Sequence, residues 1–451
     1  MSQGWKAGVA VVDITPPVGV QMGGYVAREQ GSIGVHDQLY AKALVLDDNS
    51  EQCLLVMCDL LGIDAVDVRS LKVRIEARTG IPTTNMMIAA SHTHSGPATL
   101  HTNGIGRRNE AWIQSLYDKV VACAEQAAAS LEEVTVKWAS GIAEIGINRR
   151  GKIPAGEINP VPDPSGPVDR EVSVLCVDRV RTGNPWVVVF NYGCHPTVLG
   201  PANRLVSADY PGAAMHFIER ALGEGTVAMF TNGGAGNVNP IQTGSFDVVQ
   251  HLGEQLGAVV VQLVRSQGLP LKTLLRGSRK SVQLPFNHIP TEMEVDELIK
   301  RYTSEAARRE WRENSVDAGI SQSGTADHVL RQKIAEACLE WAKSLERKRR
   351  EGRMSAELTI EVHRLRIGDL FLLGVPLEVF AETVLFVKNA LGNRALVVGY
   401  ANGNEGYLPP QCEISKGGYE VLEAHKYYGH PAHFSGEAEE SLREALVGLG
   451  E

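Results

Sequence analysis

Apolar residues recur along this chain in short alternating or continuous runs, the pattern of strands that bury one or both faces. The sequence predicts such strands at residues 9–14, 41–46, 53–58, 85–90, 134–139, 172–177, 187–192, 227–230, 358–365, 370–375 and 395–400. Between several of them, apolar positions at helical spacing predict helices over residues 67–79, 110–130, 211–222 and 246–267. Strands and helices that alternate in this way predict an α/β architecture. Several connections are short enough for antiparallel neighbours, so mixed β-sheets flanked by helices are expected.

Residues 291–353 differ in texture. They are charged, almost free of strand signals, and read as two helices broken around residues 319–324. No Pro/Gly/Ser linker sets them apart, and no internal repeat occurs. They are expected to form a helical insertion within a single domain spanning residues 1–451. The basic run Arg347, Lys348, Arg349 and Arg350 sits between Glu346 and Glu351 and reads as a solvated helix end.

Composition narrows the function classes. Hydrophobic residues make up 43% and charged residues 22%, which is an ordinary globular balance. The formal net charge of −9 gives no electrostatic reason to bind nucleic acid. No run of about 18 apolar residues exists to span a membrane. The seven cysteines are scattered without a CxxC pair, as expected of reduced thiols in a cytoplasmic protein. The N-terminal residues alternate instead of forming an apolar leader, so no secretory signal is expected. A small-molecule substrate is the expected partner, and a homo-oligomer stays open.

The chemistry-bearing residues gather where predicted strands end. Ala89-Ala90 runs into Ser91-His92-Thr93-His94-Ser95-Gly96-Pro97. Two imidazoles at this spacing suit one metal site, although an incidental surface loop reads the same way. Asn191-Tyr192-Gly193-Cys194-His195-Pro196 ends a second strand in a histidine. Neighbours on an extended chain point to opposite faces, so Cys194 is expected to be a buried thiol and not a partner of His195. Phe230 leads into Asn232-Gly233-Gly234-Ala235-Gly236-Asn237-Val238-Asn239-Pro240, a loop that lacks the lysine of a P-loop but whose amides can cradle an anion. Glu378 follows the strand ending in Gly374-Val375, and Tyr407 lies in the polar loop after the strand at 395–400. Together these loops suggest one composite site.

Taken in order, the segments resemble the catalytic domain of the neutral/alkaline ceramidase family. The opening Val12-Asp13-Ile14-Thr15-Pro16-Pro17, the Gly34-Val35-His36-Asp37 segment and His92 to Pro97 all resemble that family's motifs. The resemblance implies that His92, His195, Glu378 and Tyr407 hold Zn²⁺. It implies that His94 lines the site as a catalytic or substrate-contacting histidine, and that Arg149 of the Asn148-Arg149 pair reaches it.

Two departures separate this sequence from ceramidases proper. Where the family's glycine-rich loop reads GDxSP, Asn237 replaces the aspartate and Asn239 the serine. An amide is no nucleophile. The family also carries a C-terminal immunoglobulin-like domain, and none is expected after the family-like Tyr427-Tyr428-Gly429-His430-Pro431. The resulting expectation is a zinc-dependent hydrolase that uses metal-bound hydroxide on an amide, ester or lactone of a small soluble compound. In it, His94 moves a proton while Arg149, Asn237 and Asn239 stabilise an oxyanion. Ser91, Ser95 and Ser207 are the alternative nucleophiles. A metal-assisted enzyme acting on a sugar or polyol and a non-catalytic metal-containing binding protein are the competing readings. Absence of cysteine among the ligands favours a catalytic metal over a structural one.

Overall fold

The polar–apolar alternation becomes a set of strands because each predicted run has a core to face. A computed structural model describes residues 4–450 except 29, 153–159, 267, 309–326 and 393. In chain order the strands are β1 (Trp5–Asp13), β2 (Gly34–Val35), β3 (Tyr40–Asp47), β4 (Gln52–Cys58), β5 (Met86–Ala90), β6 (Glu132–Ile142) and β7 (Gly146–Asn148). They continue with β8 (Glu171–Arg179), β9 (Pro185–Tyr192), β10 (Leu205–Val206), β11 (Val227–Asn232), β12 (Val238–Pro240), β13 (Leu269–Pro270) and β14 (Leu275–Pro285). The last are β15 (Glu357–Ile367), β16 (Leu370–Gly374), β17 (Glu378–Val379), β18 (Ala395–Val398) and β19 (Tyr407–Leu408).

The sheets are mixed, as the short connections imply. The main sheet runs β11-β9-β8-β6-β1-β3-β4-β5, with β13 added against β6. The pairs β9–β11 and β4–β5 are parallel; the other pairs are antiparallel. A second sheet runs β14-β15-β16-β18. Its edge strand β14 escapes the hydrophobic pattern. Leu275, Val282 and Leu284 are buried, but Arg276, Arg279 and Lys280 interrupt them. Such charges are what an edge strand needs to deter pairing with another chain.

Core contacts arrange these parts in four layers. Ile75, Leu116 and Val120, from the helices Ala65–Thr79 and Glu110–Ala129, pack on one half of the main sheet. Ile218, Leu252 and Val260, from Asp209–Leu222 and Phe246–Arg265, cover the other half. The opposite face buries Leu55, Met57, Met87 and Val189 against Leu365, Leu372 and Leu396 of the second sheet. The helices Ala381–Leu391 and Gly436–Gly450 close the outside of that sheet through Val384, Val387, Leu442 and Leu446. Burying each such side chain contributes about 1.5–3 kcal/mol.

Within residues 291–353, two helices are described. Glu292–Ala306 begins with a capping box between Thr291 and Glu294, and Asp327–Arg350 ends in the basic run. The predicted break at residues 319–324 lies outside the described residues. Val295, Tyr302, Trp341 and Leu345 pack the pair together. Trp341 Nε1 donates to His430 O (2.7 Å) and Lys348 Nζ to Gly429 O (2.7 Å), joining the second helix to the loop near the C-terminus.

The chain after β18 draws distant strand ends together. Gly399 N donates to Asn232 O at the end of β11, and Ala90 N, at the end of β5, donates to Tyr400 O. β5 and β11 are the two ends of the main sheet's strand order. One short segment thus joins both to the second sheet.

Candidate metal centre

Four of the five predicted strand-end loops deliver a donor to the same small volume. His92, the second residue after β5, has φ +70°, a left-handed conformation that a non-glycine residue adopts at a cost of about 1–3 kcal/mol. Tyr400 is also left-handed, at φ +54°, and its ring stacks on His92 with centroids 3.9 Å apart. Asn232 stitches two histidine loops together. Its Nδ2 donates to Ser91 O (3.1 Å) and Cys194 O (3.2 Å).

The donor atoms converge. His92 Nε2 and His195 Nε2 lie 3.2 Å and 3.1 Å from the same oxygen, Glu378 Oε2. Tyr407 Oη is 3.2 Å from His195 Nε2, and His94 Nε2 is 3.1 Å from His92 Nε2. All of these residues are at least nine-tenths buried. Tyr428 donates its hydroxyl to the other oxygen, Glu378 Oε1.

Tautomers separate the three histidines. His92 Nδ1 faces Leu61 O (2.7 Å) and His195 Nδ1 faces Ala235 O (2.6 Å), so both Nδ1 atoms carry the proton. Their Nε2 atoms are then lone pairs turned on a carboxylate oxygen. Acceptors that meet acceptors at hydrogen-bond distance in a buried site need a cation between them. A carbonyl behind each ring is also the usual support of a metal-binding histidine. His94 lacks it, because its buried Nδ1 has no partner. By distance alone His92, His94 and His195 form one group whose donors lie within 4.8 Å of one another. The tautomers divide that group: His92 and His195 fit as ligands, with Glu378 and Tyr407, whereas His94, its Nδ1 without a partner, keeps its proton on Nε2.

Electrostatics follow burial. Burial, then the Arg149 charge, holds His195 down at about 4. Burial, then His92 and His195, pushes His94 well below the usual imidazole range. Burial and the Glu378 charge raise the Tyr407 phenol, against an opposing pull from Arg149.

The other predicted residues divide. Arg149 reaches the centre, with Nη2 donating to Tyr407 Oη (3.1 Å) and Nη1 to Asn239 Oδ1 (3.0 Å). Asn148 does not follow it; its Nδ2 donates to Pro167 O (2.8 Å). Asn237 corrects the sequence reading, in which its amide faces an oxyanion. Its Oδ1 accepts from Ala381 N (2.9 Å) and its Nδ2 donates to Glu382 (2.7 Å), so it caps the helix Ala381–Leu391. The glycine loop is not an anion cradle either. The amides of Gly233, Ala235 and Gly236 are all bonded to backbone carbonyls. Gly236 is there for contact, since a Cβ on it would lie 2.6 Å from Glu378 O. Cys194 is buried and unpaired, as expected. Ser95 Oγ accepts from Asn203 and Ser207 Oγ from Asp209 N, while the buried Ser91 Oγ has no partner. An open groove of about 890 Å³, lined by Phe286, Phe386 and Glu440, lies elsewhere and gathers none of these donors.

Sequence reasoning missed Tyr400 as a site residue, and it missed Tyr25 and Gly24. The Tyr25 ring meets His94 edge-on at 5.0 Å. Only Tyr428 carried a signal, within the family-like run near the C-terminus.

The model of the neutral/alkaline non-lysosomal ceramidase family, N-terminal part, matches residues 5–253, more than half of the chain. The chain belongs to this family. His92, His94, Arg149 and His195 fall inside the matched stretch; Glu378 and Tyr407 fall beyond it. The neutral ceramidase of Pseudomonas aeruginosa is 25% identical over 92% of this chain and 68% of its own length. That of Mycobacterium tuberculosis is 28% identical over 48% of this chain and 36% of its own length. The solved structure of the Pseudomonas aeruginosa neutral ceramidase matches with a TM-score of 0.73 at 20% identity, covering 100% of this chain and 74% of that one. This second likeness shows the α/β fold. The chain spans about two thirds of the Pseudomonas relative and about a third of several others.

Proposed function

We propose that this chain is a zinc-dependent hydrolase acting on an amide, ester or lactone bond of a small soluble substrate. Membership of a family whose curated relatives are named ceramidases supports hydrolysis of an amide-type bond. One observation carries the metal reading: the Nε2 lone pairs of His92 and His195 both face Glu378 Oε2. His92, His195, Glu378 and Tyr407 would hold the ion. When bound, zinc polarises a carbonyl oxygen and lowers the pKa of water to about 7.

The protein's own groups supply the rest. Leu61 O and Ala235 O keep both ligand imidazoles in the tautomer that presents Nε2. Tyr428 holds Glu378 from behind. His94 Nε2–H, at the edge of the donor cluster, donates a hydrogen bond to the oxygen that develops negative charge. The Arg149 guanidinium, beside Tyr407 Oη, stabilises negative charge developing on the substrate oxygen. His92, His195 and Glu378 are sealed from water, and only His94 and Tyr407, each 9% exposed, open toward solvent. Substrate would approach from their side.

We also propose that the 451 residues form one catalytic domain with 291–353 inserted in it, and that the protein works in the cytoplasm. The unpaired state of all seven cysteines supports the reducing compartment. Metal analysis of purified protein tests the function, joined to a screen of amides, esters and lactones with wild type and His92→Ala. Zinc near one per chain, with turnover lost in the variant, is expected. A metal-free protein of equal activity would overturn the reading.

A further inference from the structure

Two arginines directly follow β7, and both are buried. Buried guanidinium groups need anionic partners, and two glutamates provide them. Glu420 bridges the pair: Arg149 Nε donates to Oε1 (2.8 Å) and Arg150 Nη1 to Oε2 (2.6 Å). Arg150 Nε also donates to Glu413 Oε2 (3.1 Å), and its Nη2 to Gly417 O (2.7 Å). The network thus joins the arginines to residues 411–422, far away in sequence.

Every nitrogen of Arg149 is engaged. Nε meets Glu420, Nη1 meets Asn239, and Nη2 meets both Gly236 O (2.8 Å) and Tyr407 Oη. Only Glu420 among these partners is a carboxylate, so it alone holds the guanidinium as an ion pair, with both donor and acceptor charged. The orientation it sets determines where the Nη2 proton meets Tyr407 Oη. Tyr419, next to Glu420, packs edge-on against the Tyr407 ring at 5.8 Å between centroids. One short segment therefore touches Tyr407 twice, through its ring and through Arg149.

We infer that Glu420 is a positioning residue of the metal centre, acting through Arg149 to fix the Tyr407 hydroxyl toward the ion; this rests on the zinc reading above. Groups that orient a ligand without touching the metal typically change affinity roughly 10–100-fold when removed. A purely structural role, holding residues 411–422 in place, makes a different prediction. It would lower stability and affect zinc affinity whether or not the tyrosine hydroxyl is present.

A double-mutant cycle separates the two. Zinc affinity is measured by chelator competition on full-length wild type, Glu420→Gln, Tyr407→Phe and the double variant, with melting temperatures of the zinc-free forms. Glu420→Gln is expected to weaken zinc binding at least 10-fold in the wild-type background and by less than about 3-fold in the Tyr407→Phe background. The visible spectrum of the cobalt(II) form is expected to move toward that of Tyr407→Phe. Should Glu420→Gln fail to fold, Glu420→Asp, which keeps the charge but shortens its reach, enters the same cycle. Equal loss of affinity in both backgrounds overturns the positioning role while leaving the zinc reading intact. Absence of zinc binding by wild type overturns both.

Discussion

His94 Nε2 stands 3.1 Å from His92 Nε2, yet only His92 has its other ring nitrogen tied to a carbonyl. That asymmetry assigns different work to two histidines separated by one residue. His92→Ala and His195→Ala are expected to lose zinc. His94→Gln is expected to keep near-stoichiometric zinc and lose turnover by roughly 10²–10³-fold, the range for a weakened oxyanion donor. Metal content beside kcat for each variant checks this. Zinc loss in His94→Gln equal to that in His92→Ala would make His94 a ligand and refute the division.

Gly24 lies against the unpartnered side of His94. Its φ is +94°, and a Cβ placed there would stand 2.5 Å from His94 Nδ1. Gly24→Ala therefore combines backbone strain with a clash that only a shift of the imidazole relieves. The expected outcome is a folded, zinc-replete protein of lower stability with kcat reduced at least roughly 10-fold. Unchanged kinetics would show that the His94 ring position is unimportant.

Asn239 stands where the family motif has its serine, and it is bonded to Arg149. Little or no turnover of long-chain ceramide is expected from the purified protein, and no covalent acyl-enzyme on any substrate. Ser95→Ala and Ser207→Ala should remove only local hydrogen bonds. Ser91→Ala tests the one partnerless hydroxyl of the three. Each is expected to alter kcat/KM far less than Glu378→Ala. Mass spectrometry of quenched reactions checks for an adduct; one on Ser91, with Ser91→Ala as inactive as the ligand variants, would restore covalent catalysis.

Buried titratable groups away from the centre give opposite pH signatures. Burial, then the Lys72 charge, holds His363 at about 3. Its folded value lies below the unfolded value of about 6.5, so its contribution to stability is present above that pH and falls as acid is added. Asp209 is the reverse: burial raises it to about 7. Its contribution is present below the unfolded value of about 4 and is lost as pH rises through 7. Relative to His363→Gln, wild type should lose up to about 1.4 kcal/mol per pH unit on going down from 6.5 toward 3. Relative to Asp209→Asn it should lose a similar amount per unit on going up from 4 to 7. Urea midpoints across pH test both, and parallel curves for wild type and variants would refute the assignment.

Much of the fold was legible from the chain alone, because strands buried on both faces announce themselves by unbroken apolar runs. β4, β5, β9 and β16 all lie where the pattern predicts them, within a residue or two. β14 was not legible, since an edge strand carries charge on its solvent side and so loses its signal. Nor were the helices Ala381–Leu391 and Gly436–Gly450 predicted from the sequence pattern.

Site chemistry divides along the same line. His92, His94, His195, Glu378 and Tyr407 were readable as polar residues placed just past apolar strands, and family resemblance ordered them. What residue type and spacing cannot encode is which way a ring nitrogen faces. The carbonyls of Leu61 and Ala235, which select the ligand tautomers, belong to residues 31 and 40 positions away in sequence. Likewise Asn237 looked like an oxyanion donor until the helix it caps, 144 residues on, came into contact with it. The sequence by itself determined which side chains reach the strand ends. Only the tertiary structure decided which of their atoms meet, because hydrogen-bond partners are chosen by distance and direction in space and not by separation along the chain.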